Sequence, residues 1–461
     1  MRTEEDSIGS LQLPDEAYYG VQTLRAYRNF PITGRTLHPA FIMSLATIKK
    51  AAAVTNLEVG ALDRQRGAAI CRACDEIIDG QWHDQFLVDP VQGGAGTSAN
   101  MNANEVIANR AIELLGGRRG DYALVHPNDH VNMAQSTNDV YPTAGKLTVL
   151  ELLPRALGQL TRLEQALRDK AREFEDVIKM GRTQLQDAVP MRLGQSFAAW
   201  AAAVSRDIAR LTRVQEEMRV INLGGTAIGT AINVRPSYLS HIAENLSRTA
   251  RTSVRQADDL IDATQNADCF VMVSGVLKTC AVNLSKMASD LRLLSSGPRT
   301  GVHEINLPAM QNGSSIMPGK VNPVIPEVVT QVAFHIIGHD QTITMAAEAG
   351  QLELNAFEPI IFYNLFESIE TLEGAVRTFV DNCVTGITAN RDRCRELLEH
   401  SVGTVTALCP YIGYQRAADL AKQALHTGIP VAELALREGV IDEQMLQRAL
   451  DPVAMTVPAR I

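Results

Sequence analysis

Between Gly313 and Pro323 the chain reads Gly-Ser-Ser-Ile-Met-Pro-Gly-Lys-Val-Asn-Pro, which sets two adjacent hydroxyls and a cation in one short segment. A serine hydroxyl is a nucleophile or base once ionised, and a nearby ammonium favours the ionised form. Gly313 and Gly319 let the backbone bend and come close to a ligand, while Pro318 stiffens the stretch ahead of Lys320. A loop of this kind can close over a substrate, so the segment points to an enzyme.

Three further blocks concentrate small polar residues. They are residues 94–102 (Gly-Ala-Gly-Thr-Ser-Ala-Asn-Met-Asn), Pro127-Asn128-Asp129-His130 leading to Gln135-Ser136-Thr137-Asn138-Asp139, and residues 181–188 (Gly-Arg-Thr-Gln-Leu-Gln-Asp-Ala). In order and spacing all four resemble the motifs of the aspartase/fumarase superfamily. The likeness runs from about Ala17-Tyr18-Tyr19-Gly20 to the C-terminal region. The superfamily pattern places a Glu shortly after the Lys and Asn of the serine loop, and here that residue is Glu327.

The resemblance implies elimination of a leaving group from a substituted succinate to give fumarate. A proton is taken from the carbon next to a carboxylate, and that carboxylate becomes a dianionic aci-carboxylate stabilised by fixed hydrogen-bond donors. By resemblance, Thr97, Ser136, Thr137 and Ser315 surround this carboxylate, while Thr183, Lys320 and Asn322 hold the other. Ser314 is the expected general base, acting as an alkoxide when the loop closes. Burial alone would raise its pKa, so positive charge and backbone donors must outweigh desolvation, and Lys320 is the cation nearest in sequence.

Position 184 selects the leaving group. Related fumarases generally carry His after Gly-Arg-Thr, paired with the residue matching Glu327, whereas this chain has Gln184. Hydroxide leaves poorly without a protonating group, but an ammonium group departs as neutral ammonia. Gln184 can accept a hydrogen bond from the substrate ammonium, with Asn138 as a second polar contact. The stretches 181–191, 322–329 and 351–355 also read as in aspartases. The expected reaction is therefore reversible deamination of L-aspartate to fumarate and ammonia. The alternatives are hydration of fumarate to L-malate and a noncatalytic structural protein on the same fold.

The elements that must carry these motifs read as helical. Leu150, Leu153, Leu157, Leu160, Leu163 and Leu167 recur three or four apart, as do Leu284, Met287, Leu291 and Leu294, which predicts long amphipathic helices in a bundle. Few aromatics and abundant alanine and leucine agree with a mainly α protein. The resemblance implies three domains: a mixed, mostly helical part over 1–135, a long-helix bundle over 136–391 and a small helical part over 392–461. It also implies a homotetramer with a shared multi-helix core and active sites built from three subunits, which explains how polar motifs so far apart in a rod-like chain converge.

The net charge of -9 argues against a broad basic face for nucleic acid. Seven scattered cysteines imply no disulfide framework, and Cys71-Arg72-Ala73-Cys74 lacks the partners of a zinc site and reads as buried helical thiols. No apolar run is expected to reach the roughly 20 residues that span a bilayer, and the acidic N-terminus lacks a signal core, so a cytoplasmic protein is expected. No cofactor or metal is called for, with activation by divalent ions left open. His130 reads as structural as readily as part of a secondary carboxylate site, and the glycine-rich stretch 224–230 reads as packing support, since it lacks a phosphate-loop ending.

Overall fold

The computed structural model describes residues 1–451 and 453–457. In chain order it comprises a hairpin of β1 (Arg2–Asp6) and β2 (Gly9–Leu13), then α1 (Val21–Asn29), α2 (Pro39–Glu58), α3 (Arg64–Ile78), α4 (Thr97–Leu114) and α5 (Thr137–Glu173). A second hairpin, β3 (Ile178–Thr183) and β4 (Gln186–Arg192), precedes α6 (Leu193–Met218), α7 (Pro236–Ala250), the single turn α8 (Asp262–Gln265) and α9 (Asp268–Leu294). Then follow α10 (Val324–Glu348), α11 (Glu358–Asn382), α12 (Arg391–His400) and further short helices. The chain is mainly α, as the leucine periodicity predicts. Leu153, Leu160, Leu163 and Leu167 are fully buried along α5, which continues through Pro142 and Pro154.

The chain divides into two compact units. The first comprises Met1–Leu157, Ala209–Thr279 and Phe334–Leu372. In it α2 packs on α3 and α7, and α4 on α1 and α3. Helix α2 is apolar on most sides and accordingly buried on most sides. An aromatic cluster links its Phe41 to Tyr141, Phe362 and Phe366, with Phe270 edge-on to Phe362. Buried Glu105 on α4 accepts hydrogen bonds from the backbone amides of Gly20, Gln22 and Thr23 and from the Thr23 hydroxyl, which fixes the entry to α1. Burial pushes its pKa up to about 7 against those donors.

The second unit comprises Gly158–Ile208, Cys280–Ala333 and Glu373–Ile461. Its β3–β4 hairpin packs against α12, and near the C-terminus Leu408, Leu420, Leu434, Ala435 and Leu446 form a small core of their own.

One expectation is corrected. Helix α9 is long and apolar enough to cross a membrane by length and composition, because its few charged residues do not offset its apolar ones. Its polar side chains are nonetheless met by protein: Lys278 and Ser274 bond Asp340, and Asn283 bonds Asp207. Polar side chains paired in this way are what a helix packed against other protein elements requires. The Cys71-Arg72-Ala73-Cys74 stretch lies on α3 with Cys74 fully buried, and burial pushes the Cys71 thiol up to about 11 and that of Cys74 well above the ordinary thiol value, which leaves neither poised for redox chemistry.

Gly145 on α5 tests the aromatic cluster. A methyl added there would lie 2.2 Å from Cζ of Phe362, whose ring is confined by its neighbours. Gly145→Ala is expected to lower stability in urea unfolding by about 1–3 kcal/mol despite better helix propensity; a gain in stability would show that the ring yields.

Candidate active site

The residues singled out in the sequence fall into two groups, one in each unit. In the first unit Thr97 opens α4 and Thr137 opens α5. Asn100, one turn into α4, donates to Oγ1 of Thr137 at 3.1 Å and so ties the two helix starts together. Since Oγ1 of Thr137 accepts that bond, its own proton is left to donate to a ligand oxygen. Ser136 is alike: Oγ accepts from the Asn138 amide at 3.2 Å. Thr97 differs, because its hydroxyl donates to the carbonyl of Gly94 at 2.8 Å and must turn away from it to bind a carboxylate. The Asn138 side chain donates to the carbonyl of Ala227 at 2.7 Å.

Behind these residues stands a buried polar network that sequence reasoning missed. Lys49, fully buried on α2, donates to Oδ1 of Asn132 at 2.8 Å, and Asn100 and Asn104 donate to the same oxygen. Asp139, also fully buried, accepts from the amides of Ser136, Gly224 and Thr226 at 2.9 to 3.0 Å. The stretch 224–230 is thus fastened to the start of α5 and supports packing. Burial pushes Asp139 up to about 6, opposed by its three amide donors and by the charge of Lys49. Burial lowers Lys49 to about 7, opposed by Asp139. Two legible cues existed: a lysine inside an apolar helix, and an acidic residue three after Ser136, as in a helix-capping box. His130 accepts from the His126 amide at 2.8 Å within a local turn, and burial lowers its pKa.

In the second unit the serine loop is closed on itself. Gly313 donates to the carbonyl of Lys320 at 2.8 Å, and the Asn322 side chain donates to the carbonyl of Gly313 at 2.8 Å. A side chain at 313 would strike the Asn322 amide and the Lys320 carbonyl, each 2.7 Å from its Cβ, so only glycine permits this approach. Within the loop, Oγ of Ser314 accepts from the amides of Ile316 at 3.2 Å and Met317 at 2.9 Å. Two convergent amides favour an ionised oxygen over a neutral one. Ser315 and Lys320 are exposed, and Glu327 lies in the first turn of α10.

Thr183 and Gln184 sit at the tip of the β3–β4 hairpin, both exposed. Gln184 and Leu185 have φ of 51° and 65°, a left-handed pair that hairpin turns usually fill with Asn-Gly. This turn holds the Gln184 side chain out from the hairpin at a conformational cost. Beneath it, fully buried Glu304 lies 2.8 Å from Arg182 and 3.0 Å from Lys179, which anchors the strand that carries Thr183. A cavity of about 350 Å³ beside the turn is lined by Lys179, Arg182, Gln184, Trp200, Lys286 and Asp290 among others. Lys286 pairs with Asp290, and Lys179 and Arg182 share Glu304, so the charges around the cavity are largely matched.

Residues 9–338 match the family model described as Lyase, and residues 405–457 match that of the fumarase C C-terminus. The chain belongs to the aspartase/fumarase superfamily of lyases. Among its relatives in the superfamily, an aspartate ammonia-lyase of a Bacillus species is 52% identical over 99% of this chain and 98% of its own length. Among solved structures, a fumarate lyase:delta crystallin of Brucella melitensis bound to cobalt superposes with a TM-score of 0.97 at 53% identity, over 99% of this chain and all of that one. A class II fumarase of Schistosoma mansoni superposes with a TM-score of 0.95 at 36% identity, over the whole of both chains.

The buried Lys49 makes stability depend on pH. The folded protein releases its proton near pH 7, whereas the unfolded chain holds it to about 10.5. The cost to folding is therefore full below the folded value and is relieved as pH rises through this window. Urea unfolding at a series of pH values is expected to show the natural protein gaining stability relative to Lys49→Met between those limits. A constant difference would place the titration elsewhere.

Proposed function

We propose that this chain is an aspartate ammonia-lyase that converts L-aspartate reversibly to fumarate and ammonia. The observation that carries this reading is the 52% identity, over nearly the full length of both chains, to an aspartate ammonia-lyase. Gln184 supports the same reaction over hydration, since an amide cannot protonate a leaving hydroxide. Incubation with L-aspartate is expected to yield fumarate, followed by its absorbance, and equimolar ammonia, with none formed from L-malate. Fumarate from malate alone would make the enzyme a hydratase and sink the reading of Gln184.

In the proposed mechanism the Ser314 alkoxide takes the Cβ proton. The electron pair moves into the adjacent carboxylate to give the aci-carboxylate, which collapses to form the double bond as the C–N bond breaks and ammonia leaves with its electron pair. The Ile316 and Met317 amides on Oγ of Ser314 support the alkoxide. Lys320 assists it and, with Thr183 and Asn322, holds the carboxylate remote from the abstracted proton. Ser136, Thr137, Ser315 and a rotated Thr97 supply donors to the aci-carboxylate, Asn138 and Gln184 contact the amine, and Glu327 supports the site. The substrate is a small dicarboxylate, with no cofactor in any step. The site is completed in a cytoplasmic homotetramer by segments of three subunits.

Ser314→Ala is expected to leave assembly intact and to lower turnover by roughly 10²–10⁴-fold. Survival of turnover in that variant would remove Ser314 as the base.

A further inference from the structure

We propose that His335, His339 and Glu367 form a binding site for a divalent transition-metal ion of the zinc class. None of the three takes part in the reaction above. His335 and His339 are one turn apart on α10 and share a face, and Glu367 comes to them from α11. One candidate ligand atom from each lies within 4.8 Å of the others. The imidazole centroids are 3.9 Å apart, and Nε2 of His335 is 3.8 Å from Oε1 of Glu367. Zinc bonds of about 2.0–2.2 Å in a tetrahedral set place ligand atoms roughly 3.3 Å apart. Modest side-chain rotation would close the set, and His335 is the most exposed of the three in the single chain.

The hydrogen bonds around His339 prepare it as a ligand. The Ser368 hydroxyl donates to the carbonyl of Asn364 at 2.7 Å, so its proton is spent. Its oxygen lies 3.0 Å from Nδ1 of His339 and can only accept there. Nδ1 therefore carries the ring proton and Nε2 keeps its lone pair, the arrangement that an outer-shell partner gives a metal-binding histidine.

The opposing charges nearby are few. Arg35 lies 3.4 Å from Oε1 of Glu367, but it is exposed, and such pairs are weak enough for a metal to displace. Glu370 is engaged with His38 at 2.9 Å, and Asp340 with Lys278. Two imidazoles and one carboxylate suit zinc, cobalt or nickel rather than magnesium or calcium, which demand oxygen ligands. Three protein ligands leave a position for water or an external ligand. Glu367 also lines a cavity of about 600 Å³ with Arg35, His38 and Glu370, which gives such a ligand a way in.

The test uses untagged full-length protein, stripped with chelator and titrated with Zn²⁺ alone by calorimetry and equilibrium dialysis. The natural protein is expected to bind one more zinc per chain, at micromolar affinity or better, than the His335→Ala/His339→Ala double variant. Glu367→Gln is expected to weaken that zinc at least tenfold. Ser368→Ala, which leaves all three ligands in place but frees the tautomer, is expected to weaken it by about 10–100-fold. Circular dichroism without metal verifies that each variant is folded, and His335→Ala alone, a surface change, serves if the double variant is not. Equal zinc stoichiometry and affinity in natural protein and folded variants would overturn the proposal, as would no binding to the natural protein below millimolar zinc.

Discussion

The first group of site residues depends on the carboxylate of Asp139. It is fully buried, and it accepts the amide of Ser136 on one oxygen and those of Gly224 and Thr226 on the other. Helix starts carry amides without intrahelical partners, and here a residue of the first turn reaches back to satisfy one. The same residue reaches across to the glycine-rich loop, so one anion sets both the register of α5 and the position of Ala227, whose carbonyl receives Asn138. An anion buried this deeply demands compensation. Three amides supply most of it and the charge of Lys49 adds to it. Lys49 in turn fixes Asn132, and with it Asn100 and the hydroxyl of Thr137. The hydroxyls proposed to face substrate are thus held by polar groups that never reach the surface.

The serine loop solves a different problem. A serine is too weak an acid to be a base at neutral pH unless its ionised form is favoured, and burial works against that. A lone lysine is the remedy legible in the sequence, yet the contacts made by Oγ of Ser314 are with two backbone amides of its own loop. Amides carry no net charge to desolvate, and a tight loop aims them without ordering a long side chain at the moment of reaction. Gly313 makes the loop tight enough to do so, because the chain crosses itself where a Cβ would collide.

How much was legible in the sequence follows from which kind of interaction carries the information. The helical scaffold was legible because burial repeats with the helix period: Leu153, Leu160, Leu163 and Leu167 are core. The motif residues were legible because hydroxyls, amides and a lysine among glycines have little reason to cluster otherwise. The β3–β4 hairpin was not, since its turn is Gln184-Leu185 where a glycine or asparagine would have announced it. Nor was the Glu304 pairing with Arg182 and Lys179, which joins residues more than a hundred positions apart. Helix α9 was passed over as an apolar run, and its polar side chains find partners on other elements that no local pattern reveals.

The hairpin turn and the chemistry at position 184 belong together. A residue whose only task was to reverse the chain would be replaced by glycine or asparagine, which adopt positive φ at little cost. A glutamine kept in that conformation, exposed at the tip and bordering the cavity, accepts strain in return for placement. Its side-chain oxygen can receive a hydrogen bond from an ammonium, and its amide has no proton acidic enough to release to a departing hydroxide. The conformation that makes the turn costly and the side chain proposed to meet the amine are thus properties of one residue.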